Sequence, residues 1–311
     1  MRIGFFGTPE IAAFCLARLM ERHEVAFVVT GCDKPRGRCL QVSGCPAKCA
    51  ALERGVPVLE PEHLRDPALP DELARFGAEL FVVVAYGAII PRAIFDLPRH
   101  RTINLHPSLL PRYRGAAPMQ WALINGETET GITVQLINER LDAGDIILQE
   151  RFAIDETMTA GELAEIVFPR GAALLDEAIV RIAAGTAAPV VQDESAATYC
   201  KKIDKDLPRI VWTGGARDIH NMVRGLNPAP VAWTTFRGRV LKIWRTMPFE
   251  AADAPALDPG EVAVYKKKRL LAGTGVGRLE IVSVQPETKK VMDAASFING
   301  HRLQAGERLG V

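Results

Sequence analysis

The run Thr102-Ile103-Asn104-Leu105-His106-Pro107-Ser108-Leu109-Leu110-Pro111-Arg112-Tyr113-Arg114-Gly115 places polar, chemically capable side chains at the end of an apolar segment. Ile103 and Leu105 alternate with Asn104 and His106. In a strand, whose side chains alternate between faces, the amide and the imidazole therefore share one face. Pro107 has no N–H to give a ladder, which predicts that the strand ends there and opens into a loop. An amide can donate hydrogens to a developing oxyanion. An imidazole with an unperturbed pKa near ~6.5 can exchange a proton at neutral pH. The carboxyl end of a strand is also where an open α/β sheet places its ligand site. Alone, however, an Asn-x-His pair is more often a core histidine beside a turn asparagine.

The flanking elements supply a frame for that strand. Arg2–Gly7 reads as a buried strand, Pro9 opens a helix through Met20, and Glu24–Thr30 is a second strand, which together predict a parallel, right-handed unit. The Gly4-x-x-Gly7 pattern is not a dinucleotide fingerprint, so no nicotinamide cofactor is expected. Glu79–Ala85 is an unbroken apolar run, as expected of a strand covered on both faces, and ends in the loop Tyr86-Gly87-Ala88-Ile89-Ile90-Pro91. Thr130–Ile137 and Asp145–Gln149 read as two further strands joined by a turn that holds Leu141-Asp142-Ala143-Gly144. Asp142 is thus remote from His106 in sequence but open to meeting it across a sheet, although an Asp in a turn is usually a local cap. Ala160–Ala184 has the pattern of a long amphipathic helix, with Pro169 inside it.

The second half differs in character. Residues 190–206 read as a linker by composition. Beyond them, Ala232–Phe236, Val240–Trp244, Gly260–Val264, Arg269–Ala272 and Leu279–Val284 are short alternating segments separated by Gly and Pro turns, the pattern of a small β-barrel. The expected organisation is an α/β, Rossmann-like, mostly parallel sheet over residues 1–189, then the linker, then an OB-like β-barrel over 207–311. Net charge is +1, yet residues 207–311 carry 16 Lys and Arg against 9 Asp and Glu. That surplus, with the runs Lys266-Lys267-Lys268 and Lys289-Lys290, suits an anionic partner such as a nucleic acid. Of six cysteines, Cys32, Cys39, Cys45 and Cys49 cluster, but without a C-x-x-C knuckle, so no metal is expected. No signal segment and no eighteen-residue apolar run is evident, which points to a cytoplasmic protein without membrane spans.

Taken together, several segments resemble the folate-dependent formyltransferases. They are Gly4-Phe5-Phe6-Gly7-Thr8-Pro9, Asn104 to Pro111, Arg114-Gly115 with Pro118, Thr130-Gly131-Ile132-Thr133 and Leu141 to Ile146. Ala197-Thr198-Tyr199, Asn227-Pro228, Leu241-Lys242-Ile243-Trp244 and Phe297-Ile298-Asn299-Gly300 are similar to the branch of that family whose acceptor is the methionine of initiator tRNA. The resemblance implies 10-formyltetrahydrofolate as formyl donor, initiator Met-tRNA as partner, no metal and no obligate protein partner. It implies Asn104, His106 and Asp142 as the catalytic set. The folate would lie against Ser108, Leu109, Leu110 and Pro111, with Tyr86, Gly87 and Ile89 nearby. It also implies that Arg36, Arg38, Lys266, Lys267 and Lys268 touch tRNA, although Cys39-Leu40 stands where the family usually carries a lysine pair. The rival readings are a nucleotide-sugar formyltransferase, a formyltetrahydrofolate hydrolase and a catalytically silent tRNA binder.

Overall fold

The computed structural model describes residues 1–31, 44–304 and 306–311, together with the backbone of 35–36 and 41–42. Its chain divides into two compact units, residues 1–115 with 131–152 and 165–199, and residues 116–130 with 153–164 and 200–311. Among the described residues no helix is long and apolar enough to cross a membrane.

The first unit is built on a seven-stranded sheet. Its spatial order is Ile146–Ala153, Glu129–Leu136, Thr102–His106, Leu80–Val84, Arg2–Gly7, Glu24–Val29 and Val58–Leu59. Strand Arg2–Gly7 lies parallel to both Glu24–Val29 and Leu80–Val84, and Leu80–Val84 lies parallel to Thr102–His106. Glu129–Leu136 then joins antiparallel to Thr102–His106. The chain leaves Arg2–Gly7 toward one side of the sheet and returns on the other at Leu80–Val84. The crevice beyond the carboxyl ends of those strands is therefore the topological switch point. Phe6, Phe27, Phe81, Leu73 and Ile94 fill one face, with ring pairs such as Phe27–Phe81 meeting edge to face at 5.4 Å. Gly4 is needed beneath them, because a Cβ there would lie 2.3 Å from the Phe27 ring. On the opposite face Gly171, in the 24-residue helix Ala160–Ala183, leaves room for Leu105.

The second unit confirms a β-barrel and shows what closes it. Strands Ala232–Phe236, Arg239–Pro248, Arg278–Pro286, Arg269–Gly273 and Val262–Tyr265 follow one another antiparallel, with Met292–Asp293 added beside Arg278–Pro286. The two outer strands do not stay open. The last residues of the chain run between them: Leu309 bridges Phe236 and Arg308 bridges Glu261, while Val262 N donates to Glu307 O at 2.9 Å and Gly310 N to Thr235 O at 2.9 Å. Closure removes the exposed ladder edges. Helix Ala216–Gly225 packs Ala216, Ile219 and Val223, spaced by three and four residues, into the core with Leu241, Ile243 and Ile281. Helix Pro118–Ile124 approaches it at Gly225, where a Cβ would lie 2.7 Å from Ile124.

Several elements exceed the sequence-based expectation. Strands Arg239–Pro248 and Arg278–Pro286 are longer than the alternating cores that announce them, because mutual pairing carries the first past Trp244, with register shifts between Ile243 and Thr246, and the second past Val284 to Gln285 and Pro286 opposite Lys242 and Leu241. Helix Ala294–His301 starts where the Asp293 carboxylate caps Ser296 N at 2.7 Å. Leu309, buried among Trp212 and Phe236, combines core packing with closure. Leu309→Ala should therefore cost about 2–4 kcal/mol of stability. Chemical denaturation of the full chain measures this, and an unchanged midpoint would contradict the closure role.

Candidate active site

Asn104 and His106 point to the same face of their strand and pair across it with Gln135 and Thr133 of the antiparallel neighbour. Leu105, between them, turns to the other face toward Gly171. Strand alternation and the turn at Pro107 thus place the amide and the imidazole at the carboxyl edge, one strand along from the switch point. Asn104 is half-buried, and among the described residues its side-chain amide has no hydrogen-bond partner. His106 is buried. Its Nε2 lies 2.8 Å from Tyr113 O, an atom that only accepts, so Nε2 carries a proton. That fixes Nδ1 as the nitrogen available for exchange, and Nδ1 faces Asp142 Oδ2 at 3.6 Å.

Asp142 reaches His106 because of the turn that carries it. Its own backbone is left-handed, with φ of 49°, a conformation that costs a non-glycine residue energy unless its surroundings impose it. Asn138 Nδ2 donates to Ala143 O at 3.1 Å within that turn. Gly144 lies so close to the Glu129–Leu136 strand that a Cβ would come within 1.7 Å of Leu136 O. The carboxylate itself accepts from Gly115 N at 2.8 Å through Oδ2 and from Gln135 Nε2 at 3.3 Å through Oδ1.

Behind Asp142 stands a polar group of side chains that sequence reasoning did not assign to the site. Arg114 has no exposed side-chain surface. Its Nε and Nη2 donate to Gln192 Oε1 at 3.1 and 2.8 Å, and its Nη2 and Nη1 to Glu194 at 2.8 and 3.2 Å. A further Nη1 hydrogen goes to Tyr199 Oη at 3.2 Å. Gln192 Nε2 donates in turn to Gln135 Oε1, Asp142 O and Gly144 O, at 3.0, 2.9 and 2.7 Å. The expected linker over 190–206 therefore supplies buried packing to the first unit at Gln192. The available signal was polar residues, Gln192 and Glu194, inside a segment otherwise typical of a loop.

The chain matches the family description "Formyl transferase" over residues 1–179 and "Formyl transferase, C-terminal domain" over 202–302. The methionyl-tRNA formyltransferase of Solibacter usitatus is 44% identical over 311 residues, covering 100% of this chain and 99% of that protein. That of Lachnospira eligens is 40% identical over 317 residues, with 100% of each covered. The chain belongs to the methionyl-tRNA formyltransferase family. As a member of that family it is an enzyme that transfers formyl groups. Two solved structures share its fold. The N-formyltransferase from Helicobacter canadensis has a TM-score of 0.68 at 18% identity, with 91% of this chain and 98% of that one covered. HypX from Aquifex aeolicus in complex with tetrahydrofolic acid has a TM-score of 0.64 at 20% identity, with 99% of this chain and 48% of that one covered.

In this formyltransferase the other expected contact residues fall in distinct settings. Ser108 is fully buried, with Oγ donating to Arg112 O at 2.7 Å and its carbonyl accepting from Thr133 Oγ1 at 2.7 Å. Leu110 is also buried, its N donating to Thr133 Oγ1 at 3.3 Å and its O accepting from Gln149 Nε2 at 3.0 Å. Leu109 and Pro111 are half-exposed, so these two carry the accessible surface of the segment. Tyr86 sets its ring edge on Phe6, at 5.7 Å, beside the switch point. Gly87 supplies a left-handed turn after it, and Ile89 is 85% exposed. Lys266 and Lys267 form the left-handed tip of the Val262–Arg269 hairpin, and Lys266 also meets Asp253 at 3.1 Å. Arg36 is described only in its backbone, which pairs with Gln41. Arg38, Cys32 and Cys39 lie outside the described residues. Cys45 is buried at the start of helix Pro46–Glu53, and Cys49 is exposed on it.

Glu194 carries the clearest electrostatic signature in this region. The Arg114 fork, and after it Arg140, pull its carboxyl down to about 2 from an ordinary 4.5. A carboxyl depressed on folding contributes stability above its unfolded value and loses it as the pH falls through the folded value. The contribution is modest, because Glu194 is half-exposed. The difference in urea midpoint between wild type and Glu194→Gln should be constant above about pH 5 and shrink as the pH falls from 4.5 toward 2. A difference independent of pH across that window would contradict the ion pair.

Proposed function

We propose that this chain moves the formyl group of 10-formyltetrahydrofolate onto the α-amino group of methionine carried by initiator tRNA. The observation that carries the reading is the meeting of Asn104, His106 and Asp142 at the carboxyl edge of the sheet, in a chain related to methionyl-tRNA formyltransferases along its whole length. Attack by the neutral amine on the formyl carbon makes a carbon–nitrogen bond and puts negative charge on the formyl oxygen. The uncommitted Asn104 amide is the donor for that oxygen, a kind of contact worth roughly 3–4 kcal/mol in an oxyanion hole. As the bond to the folate nitrogen breaks, the amine must lose a proton and the folate nitrogen must gain one. The His106 Nδ1 and Asp142 Oδ2 pair takes the first proton and supplies the second.

The remaining residues fit this division of labour. Residues 1–189 would carry formyl transfer and 207–311 would bind tRNA, while 190–206 connects them and lends Gln192, Glu194 and Tyr199 to the site region. The exposed apolar surface of Ile89, with Tyr86, Gly87, Leu109 and Pro111, suits the flat rings of a folate, and the buried Ser108 and Leu110 hold that wall in shape. HypX, captured with tetrahydrofolic acid on the same fold, supports this choice of donor. The Lys266-Lys267-Lys268 tip offers phosphate contacts to the tRNA, together with Arg36 and Arg38.

The test is formyl transfer by the purified chain from 10-formyltetrahydrofolate to charged initiator tRNA, run beside charged elongator Met-tRNA and an amino sugar nucleotide. Formyl-methionine on the initiator tRNA is expected, with Asn104→Ala and His106→Ala each at least ~100-fold slower while folded. Transfer to the sugar nucleotide alone would favour the rival acceptor. Near-normal turnover in folded His106→Ala would remove that residue from the mechanism.

A further inference from the structure

The side chains behind Asp142 form a hydrogen-bonded relay with a direction. A guanidinium only donates, through five N–H groups. Gln192 must therefore turn Oε1 toward Arg114, where it accepts from Nε and Nη2. Its Nε2 is thereby aimed the opposite way, at Gln135 Oε1 and at the carbonyl oxygens of Asp142 and Gly144. With its oxygen occupied, Gln135 is left to present Nε2 to Asp142 Oδ1 at 3.3 Å. The oxygen and nitrogen of an amide are alike in shape, so each glutamine alone could sit either way round. One fixed donor at the head of the relay removes that freedom from both.

From this polarity we infer that Arg114 is a positioning residue for formyl transfer, acting through Gln192 and Gln135 on Asp142. The relay ensures that Oδ1 of Asp142 meets a hydrogen, while Oδ2 is held by Gly115 N and faces His106. Gln192 also clasps two carbonyls of the turn, that of the left-handed Asp142 residue and that of Gly144, which holds the strained turn in place. A buried guanidinium kept only to fill space would be replaceable by an apolar side chain of similar volume. Here all five hydrogens have partners, and two of them set the relay's direction. The inference rests on the assignment of Asp142 and His106 to formyl transfer.

Gln192→Glu tests the direction without changing the shape. It keeps an oxygen for Arg114 but sets a second oxygen against the three acceptors that Nε2 now serves. Gln135 must then turn its own nitrogen to residue 192 and its oxygen to Asp142. In a folded variant kcat should fall about 10- to 100-fold, with KM for both substrates within about threefold of wild type. In an Asp142→Asn background, where residue 142 can itself donate to the turned Gln135, the further loss should be under about threefold. A folded Gln192→Glu enzyme with wild-type kcat, or full multiplication of the two effects, would overturn the inference. If Gln192→Glu does not fold, Gln135→Leu removes the donor to Asp142 Oδ1 together with the acceptor of Gln192 Nε2, and an unaltered kcat in that folded variant overturns the inference equally. A wild-type chain that transfers no formyl group overturns both this inference and the functional assignment beneath it. An active wild type with unaffected variants overturns this one alone.

Discussion

A guanidinium with no exposed surface is the constraint on which the site region depends. Arg114 cannot lose its charge at any ordinary pH, and taking that charge from water costs several kcal/mol unless its hydrogens are matched. The chain meets the demand with Gln192, Glu194 and Tyr199. Those three lie on the returning segment after the long helix, so satisfying Arg114 pins that segment to the loop that follows strand Thr102–His106. Arg114 N donates to Thr198 O at 2.9 Å, adding a main-chain tie. From there the hydrogen bonds reach Gln135, Asp142 and Gly144, and so the turn facing His106.

The division of labour between scaffold and site follows from that arrangement. The sheet sets where the strands end, and with it the positions of Asn104 and His106. It does not by itself set Asp142, which sits in a turn with an unfavourable backbone conformation. Close approach at Gly144, the Asn138 side chain and the Gln192 clasp together define that turn. His106 is likewise fixed from both sides, by the Tyr113 carbonyl at Nε2 and by Asp142 opposite Nδ1. Side chains held this way lose little time to reorientation, which suits the proton exchange proposed for them.

Much of this was legible in the sequence, for reasons that can be named. Strand Thr102–His106, its end at Pro107 and the shared face of Asn104 and His106 follow from period-two alternation, which depends on local residues alone. The parallel order of the first strands follows from the helices between them. The barrel follows from its short alternating segments, but its closure by Glu307–Gly310 does not, since that pairing joins the chain's last residues to strands far earlier. Asp142 was placed by resemblance, because no spacing rule links a turn residue to a histidine on a different strand. Gln135 and Gln192 were invisible as site residues, since a lone glutamine in a strand or a loop has no distinctive pattern. Only their shared orientation around Arg114 gives them a role, and that is a property of three dimensions.

In the proposed reaction the His106–Asp142 pair carries the proton exchange of formyl transfer. The most direct measurement is a single-turnover rate with Asp142→Asn, at saturating 10-formyltetrahydrofolate and charged initiator tRNA, on protein shown to be folded by circular dichroism. The expected result is a chemical step slowed by at least ~100-fold with binding of both substrates retained. A single-turnover rate close to that of the wild type would contradict it.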